Sequence, residues 1–419
     1  FWITWEFLHL DWDLTWPWLT LGNAFANTPS LIQWYEYTGV FGGGLWVLII
    51  NCMLVSCFVK APRFYRFQIN KKKTVAFITL LFIPVLISVL IAKNLKTDSA
   101  KKEKMVEVVV VQPNIDPYNE KFSGSVEEQV QRMLTLAAEK TDSATGYLIF
   151  PETALPSGIW EHELREDESI LQLNAFLRKY PDLKIIIGAS TDKLYGKNEE
   201  LSATARKFTN EDGYYDSYNT ALQLDKSGRI QVYHKSKLVP GVEKLPFPVI
   251  FKFLGDLAID LGGTTGSLGI QEERSVFISP DKKWNAAPVI CYESIYGEYV
   301  SGYVRNGANF IAIITNDGWW GDTPGYRQHL KYAVLRAIET RRWIARSANT
   351  GISCFISPSG EIQQATHWWV PAVIKAQMEM KNERTFYTRF GDYIARIAMY
   401  LSFLLIIYSW LIRFRIVKK

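Results

Sequence analysis

Four cysteines and five histidines in 419 residues leave little room for an architecture built on either. Cys52 and Cys57 lie in or beside an apolar stretch, so only Cys291 and Cys354 remain elsewhere; a disulfide framework is excluded, and one bridge between that pair is the most the chain could form. His9, His162, His234, His329 and His367 are scattered without metal-ligand spacing, so the sequence calls for neither a metal nor any other cofactor. Internal repeats and low-complexity segments are lacking too, which removes solenoids and arrays. Charge is missing from three stretches: residues 37–59, 74–92 and 397–412 contain no Asp, Glu, Lys or Arg. Each reads as a membrane span, since about 20 apolar residues cross the hydrocarbon core. The third is short, but Arg396 and Arg413 at its ends can reach the headgroups on their long stems; its alternative reading is a buried core helix.

What is present begins with aromatic residues. Trp2, Trp5, Trp12, Trp16 and Trp18 crowd the start, mixed with Asp11, Asp13 and Pro17, a composition that suits a membrane interface or an amphipathic surface segment. The chain opens on Phe1 inside this stretch, and the expectation is a fragment or processed chain that lacks earlier spans. Lys60, Arg63, Arg66, Lys71, Lys72 and Lys73 fill the loop between the first two spans, and Arg413, Arg415, Lys418 and Lys419 close the chain. The positive-inside rule puts both clusters in the cytoplasm and residues 1–36, which have acids but no Lys or Arg, outside. The net charge of +5 therefore speaks of membrane anchoring and not of nucleic acid. The expected division is an outward-facing segment 1–36, two spans with a basic loop over 37–92, an extracytoplasmic domain over 93–393, and a third span with a basic tail over 394–419.

Within the outer domain, short β-rich runs alternate with helical stretches. Strands are expected at 106–111, 147–150, 185–187, 288–290 and 310–314, with hairpins at Lys226-Ser227-Gly228 and Ser359-Gly360. Ser125 with Glu128 offers a capping box for a helix whose apolar face is Val126, Val130, Met133, Leu134 and Ala137, and a second helix is expected over 328–344. This order is α/β, a layered α/β sandwich with transmembrane helices on both sides. Cys354 falls in a buried strand.

Three strand-like runs end on residues that carry chemistry: Phe150-Pro151-Glu152, Tyr233-His234-Lys235 and Ile290-Cys291-Tyr292-Glu293. Strand ends are rigid enough for side chains distant in sequence to converge. A thiol nucleophile needs a base for its proton and a cation for the oxyanion formed on attack; Glu152, Lys235 and Cys291 supply these types. Singly, each has a plainer reading as a helix cap, a solvated lysine or a small core hydrophobe.

Together they resemble the Glu-Lys-Cys triad of the nitrilase, or carbon–nitrogen hydrolase, superfamily. Flanking segments narrow the resemblance to the apolipoprotein N-acyltransferases: Leu238-Val239-Pro240 followed by Glu243, Thr315-Asn316-Asp317-Gly318-Trp319, Gln328-His329, Arg336-Ala337-Ile338-Glu339, Asn349-Thr350-Gly351-Ile352-Ser353, Arg389-Phe390-Gly391-Asp392 and Trp16-Pro17-Trp18-Leu19. The resemblance implies that Glu152, Lys235 and Cys291 are catalytic, that Glu243 supports them, and that Tyr292 and Glu293 belong to the site beside the nucleophile. Two departures stand out. Pro240-Gly241-Val242-Glu243 replaces Pro-Phe-Gly-Glu, so an aromatic contact is lost there or supplied by Trp319 or Trp320, and Lys121-Phe122 replaces a Lys-Trp pair. The implied reaction has two halves: Cys291 takes an acyl chain from a phospholipid, phosphatidylethanolamine, and passes it to the α-amine of a diacylglyceryl-cysteine lipoprotein. The implied setting is the bacterial inner membrane, with a monomeric chain whose catalytic domain lies on the periplasmic side. The competing readings are a membrane-bound amidase that hydrolyses a soluble amide with the same triad, and a membrane binding protein with an inactive site. Trp368 and Trp369 could line an acyl pocket or simply pack.

Overall fold

The computed structural model describes residues 1–56, 58–60, 65–67, 71–98, 105–210, 212–247 and 267–417. Cys57, Arg63, Lys418 and Lys419, named above, lie outside the described residues. Two sheets stack face to face. In the larger, Met105–Gln112 runs parallel to Thr145–Ile149 and that strand parallel to Lys184–Leu194, followed by antiparallel Tyr214–Asp225 and Ile230–His234. Ala372–Glu379 pairs antiparallel at the other edge. In the smaller, Asn285–Ile290, Phe310–Thr315 and Ile344–Ala348 are parallel neighbours, and Cys354–Ile356 and Ile362–Gln363 form the expected hairpin.

Period-two side-chain alternation builds the layers. Val108 and Val110 point to the second sheet and share a core with Tyr147, Ile149, Val289, Ile313 and Phe355. Val109 and Val111 point the other way, onto the helices Val126–Ala138 and Glu168–Leu177. Helices Gly297–Arg305 and Pro324–Thr340 cover the outer face of the smaller sheet. The result is helix, sheet, sheet, helix. Ser125 caps its helix by accepting from the Glu128 amide.

Among the described residues three helices are long and apolar enough to cross a membrane: Tyr35–Ser56, Lys71–Leu95 and Tyr393–Arg413. Two precede the sandwich and one follows it. Outward-facing Phe82, Leu86, Leu90, Phe403, Leu404 and Tyr408 are exposed on them, a run of uncovered apolar surface that a hydrocarbon phase would satisfy. Trp46 on the first donates to the Leu80 carbonyl of the second at 2.8 Å, and Thr4 meets Ser402 of the third at 2.9 Å. The first is kinked at Gly39, which has φ +59° and stands against the Tyr387 ring. One boundary differs from the sequence expectation. The helix expected over 328–344 begins at Pro324, capped by Thr323, and ends at Thr340 because Arg341 turns left-handed (φ 51°); Ile344 starts the next strand.

Candidate active site

Strand direction decides where the chemistry gathers. Ile230–His234 follows two antiparallel steps from Lys184–Leu194 and so runs parallel to it, which puts the ends of 145–149 and 230–234 at the same edge. Glu152 and Lys235 lie just beyond those ends, and Cys291 directly follows Asn285–Ile290 in the facing sheet. The sheets are stitched together there: the Asn316 amide donates to Glu152 Oε2 at 3.0 Å, and the Ser236 amide to Glu293 Oε1 at 2.7 Å.

Lys235 Nζ sits 3.0 Å from Glu152 Oε1 and 2.8 Å from Glu243 Oε1. Asn219 donates to both carboxylates, at 2.8 and 2.9 Å. Glu243 is fixed in turn by the Val239 amide at 2.8 Å. Burial pushes the Glu152 carboxyl up, but Lys235, then Asn219 and Lys121, more than reverse this, so it lies below its ordinary value. Burial pulls the Lys235 ammonium down; the charges of Glu152 and Glu243 overcome it and leave it well above. Burial and the Glu152 charge push the Cys291 thiol well above its ordinary value, against Lys235. The resting site is therefore a carboxylate, an ammonium and a thiol, with one proton still to be moved.

Glu152, Lys235, Cys291, Glu243 and Trp319 all line one cavity of about 470 Å³, within the range of small-molecule and cofactor sites. Phe122, Val239, Val242, Leu268, Trp319 and Trp320 give it an apolar portion. Val242 thus stands on the wall beside both tryptophans. Tyr292 and Glu293 are not on that wall. Tyr292 donates to the Thr15 carbonyl at 3.0 Å and packs on Trp18, docking the N-terminal segment onto the loop that carries Cys291. The Glu293 carboxylate is fully buried behind it, where it accepts from the Ile290 amide at 2.8 Å, the Ser236 amide and the Tyr233 hydroxyl at 2.6 Å. It ties the strand end of Cys291 to that of Lys235. Trp368 stacks on Tyr326 and meets Trp369 at a tilt, away from the cavity lining. Cys354 is buried in its strand, and Cys291 and Cys354 are both free thiols.

Several polar residues at the site were given no role in it by the sequence. Asn219 lies mid-strand, where nothing local marks it. Lys121 is buried with its ammonium on the Thr153 hydroxyl and, at 3.4 Å, the Glu152 carbonyl. His329, scattered in sequence, comes to Asp317 and Cys291, with ligand-type atoms of all three within 4.8 Å of one another. Asp317 is already committed to Arg346, to Thr315 at 2.6 Å and to His329 at 3.0 Å, while the other His329 nitrogen faces the Cys291 carbonyl at 3.1 Å and Ser294 at 2.9 Å. With its donors spent in this way the cluster fits a brace under Cys291 better than a metal-ion shell.

A layered α/β sandwich with a glutamate, a lysine and a cysteine converging from strand ends is the arrangement of a carbon–nitrogen hydrolase domain, and the carbon-nitrogen hydrolase family model matches residues 107–387. A model of the apolipoprotein N-acyltransferase N-terminal domain matches residues 1–53. The apolipoprotein N-acyltransferase of Chlorobaculum tepidum is 31% identical over 408 residues, 95% of this chain and 73% of that one. That of Geobacter metallireducens is 26% identical over 387 residues, 90% of this chain and 67% of that one. Among solved structures, an amidase of the nitrilase superfamily from Nesterenkonia superposes with a TM-score of 0.46 at 12% identity, covering 70% of this chain and 96% of that one. The chain belongs to the apolipoprotein N-acyltransferase family, and it is an N-acyltransferase enzyme anchored by apolar helices.

Proposed function

We propose that the chain moves an acyl group from a membrane phospholipid, phosphatidylethanolamine, to the N-terminal amine of a diacylglyceryl-cysteine lipoprotein through a thioester on Cys291. The observation that carries this reading is the placing of Glu152, Lys235 and Cys291 on one partly apolar cavity in a chain with three candidate spans. In the first half, Cys291 Sγ attacks the ester carbonyl while Glu152 takes the thiol proton, and Lys235 holds the oxyanion. The C–O bond then breaks, the lysophospholipid hydroxyl leaves with the proton from Glu152, and the acyl group remains on sulfur. In the second half the lipoprotein amine attacks the thioester, Glu152 accepts a proton from nitrogen, and Cys291 leaves as the thiol. Glu243 keeps Lys235 charged and in place. One chain carries every group named, so a monomer suffices, and the sequence of steps calls for no cofactor. Both substrates live in the bilayer, where a cavity at its surface meets them at high local concentration and limits water's access to the thioester.

Intact-mass analysis tests this directly. Incubation with phospholipid and no acceptor should leave an acyl adduct on Cys291, and a diacylglyceryl-cysteine peptide should discharge it. Steady release of free fatty acid without acceptor, as fast as transfer with it, would point to the hydrolase reading instead. Cys291→Ser, whose hydroxyl ionises far less readily than a thiol, should form little or no adduct.

A further inference from the structure

The cavity wall is polar along one strip. Ser217 lies two residues before Asn219 on the strand Tyr214–Asp225, so their side chains share a face about 7 Å apart. Across the neighbouring strand Asp192 pairs with Ser217 and Ser190 with Asn219, while Arg206 enters from the short edge strand Arg206–Lys207. The Ser217 hydroxyl donates to Asp192 Oδ1 at 2.5 Å and accepts from Arg206 Nη1 at 2.9 Å. A guanidinium and a carboxylate are thus held apart by one hydroxyl instead of pairing. Among the described residues Arg206 forms no ion pair, and its other hydrogen bond is a long one, 3.5 Å to the Ser267 carbonyl. Asp192 Oδ2 has no hydrogen bond among the described residues; beside it stands Gly158, where a Cβ would come within 3.1 Å of that oxygen. Arg206, Ser217, Asp192 and Gly158 line the same cavity as Cys291.

Two opposite charges kept from neutralising each other, each with bonding capacity to spare, fit a ligand that carries the complementary pair. A guanidinium favours phosphate oxygens, and a carboxylate favours a primary ammonium. We propose that Arg206, Ser217 and Asp192 form the headgroup subsite for the acyl donor, with a phosphodiester at Arg206 and a primary ammonium at Asp192. Phosphoethanolamine presents those two charges together. The inference rests on the phospholipid-donor reading above and gives it a recognition element. Spacing agrees: Asn219 marks the position of Glu152 at 2.8 Å, and Ser217 lies about 7 Å further along the same wall, where the phosphate of a lipid would fall, a glycerol away from the ester held at Cys291.

The test compares three acyl donors with one acyl chain, using the full chain in mixed micelles: phosphatidylethanolamine, phosphatidylglycerol and a nitrophenyl ester without phosphate. Intact mass reads acylation of Cys291. Arg206→Gln should raise the concentration of either phospholipid needed for half-maximal acylation about tenfold or more and leave the nitrophenyl ester unchanged. Asp192→Asn should erase a preference for phosphatidylethanolamine over phosphatidylglycerol, again without effect on the nitrophenyl ester. Discharge by a diacylglyceryl-cysteine peptide should be normal in both. Equal loss with the nitrophenyl ester would reduce Arg206 to a structural role and overturn the subsite. A defect confined to discharge would assign the strip to the acceptor and overturn it too. Wild-type acylation from phospholipid that Arg206→Gln leaves intact sinks the subsite alone, whereas a wild-type chain that takes no acyl group from either phospholipid sinks the donor reading and the subsite with it.

Discussion

Cys291 and Thr153 both hold left-handed backbone, φ 47° and 44°, at a cost of order 1–3 kcal/mol each. Both sit where the chain has left a strand and line the same cavity, so the strain is stored at the cavity wall. The same crowding sets the protonation states. Because Glu152 raises the thiol as well as facing it, its two possible roles separate experimentally. Glu152→Gln should slow acyl transfer by about 10²–10⁴, as loss of a general base does. Alkylation of Cys291 by iodoacetamide at pH 8 should not slow with it, since the carboxylate that disfavours the thiolate is gone while Glu243 still keeps Lys235 charged. Parallel slowing of both would make Glu152 a thiolate stabiliser. Lys121 allows a pH test. Burial pulls its ammonium down to about 8, against Glu152 and Cys291, so above that pH a positive charge beside the site disappears. Adduct formation should fall as pH rises through about 8, and Lys121→Arg, which stays charged, should move that fall up by about a unit or more. An unmoved alkaline limb would assign it to another group.

At the scale of elements, what positions the triad is how closely one strand passes another's turn. A Cβ built on Gly188 would lie 2.5 Å from the Thr153 amide nitrogen and 2.6 Å from the Glu152 Cα, backbone atoms that cannot swing aside. Gly188→Ala should therefore push the Glu152 turn out of register, with an overpacking cost of about 1–3 kcal/mol and a loss of transfer larger than the loss of thermal stability predicts. Gly228→Asn, in the open hairpin turn where φ is +73° and no atom lies within 4 Å of a built Cβ, should be close to neutral by both thermal melting and turnover. Equal behaviour of the two variants would mean the close approach at Gly188 has no bearing on catalysis. The strands were legible because apolar runs such as 108–111 and 310–314 end sharply on polar residues, and the strands 145–149, 230–234 and 285–290 likewise lead into Glu152, Lys235 and Cys291. The helix over Pro324–Thr340 was displaced by four residues at each end for a physical reason: Arg341 closes it left-handed without a glycine, and apolar Trp343-Ile344, which continue the pattern, lead into the next strand, which starts at Ile344. Lys121 and His329 stood in segments resembling the family but without a role, and Asn219 stood in none, because the meaning of all three lies in convergence. Nothing within ten residues of any of them announces a partner that is 67 positions away, as Glu152 is from Asn219.

For the whole molecule, the three candidate spans and the sandwich must share one membrane plane, and contacts constrain how. Residues 1–36 touch the catalytic domain repeatedly. Tyr292 donates to Thr15, Arg341 pairs with Glu36 at 2.6 Å and donates to Gln33 at 2.6 Å, and Lys244 pairs with Asp13 at 2.8 Å. These contacts require the N-terminal segment and the sandwich to lie on the same side of the bilayer, and the two candidate spans between them, Tyr35–Ser56 and Lys71–Leu95, would satisfy that requirement by crossing and returning. The contacts say nothing about which side it is; charge supplies that. Lys71, Lys72 and Lys73 open the second span at the end nearer the first, and Arg413 ends the third with Arg415 just beyond it, so spans that cross in turn put both basic groups on the face opposite the sandwich. The positive-inside bias predicts that this face is the cytoplasmic one. A reporter inserted near Lys72 or fused after Lys419 should be active only in the cytoplasm, and one inserted near Asp212 only outside it. If all three reported from the same side, the spans would not cross as paired and the membrane reading would fail. Should the Asp212 reporter prove cytoplasmic with the other two outside, the pairing would stand and the charge argument alone would be wrong.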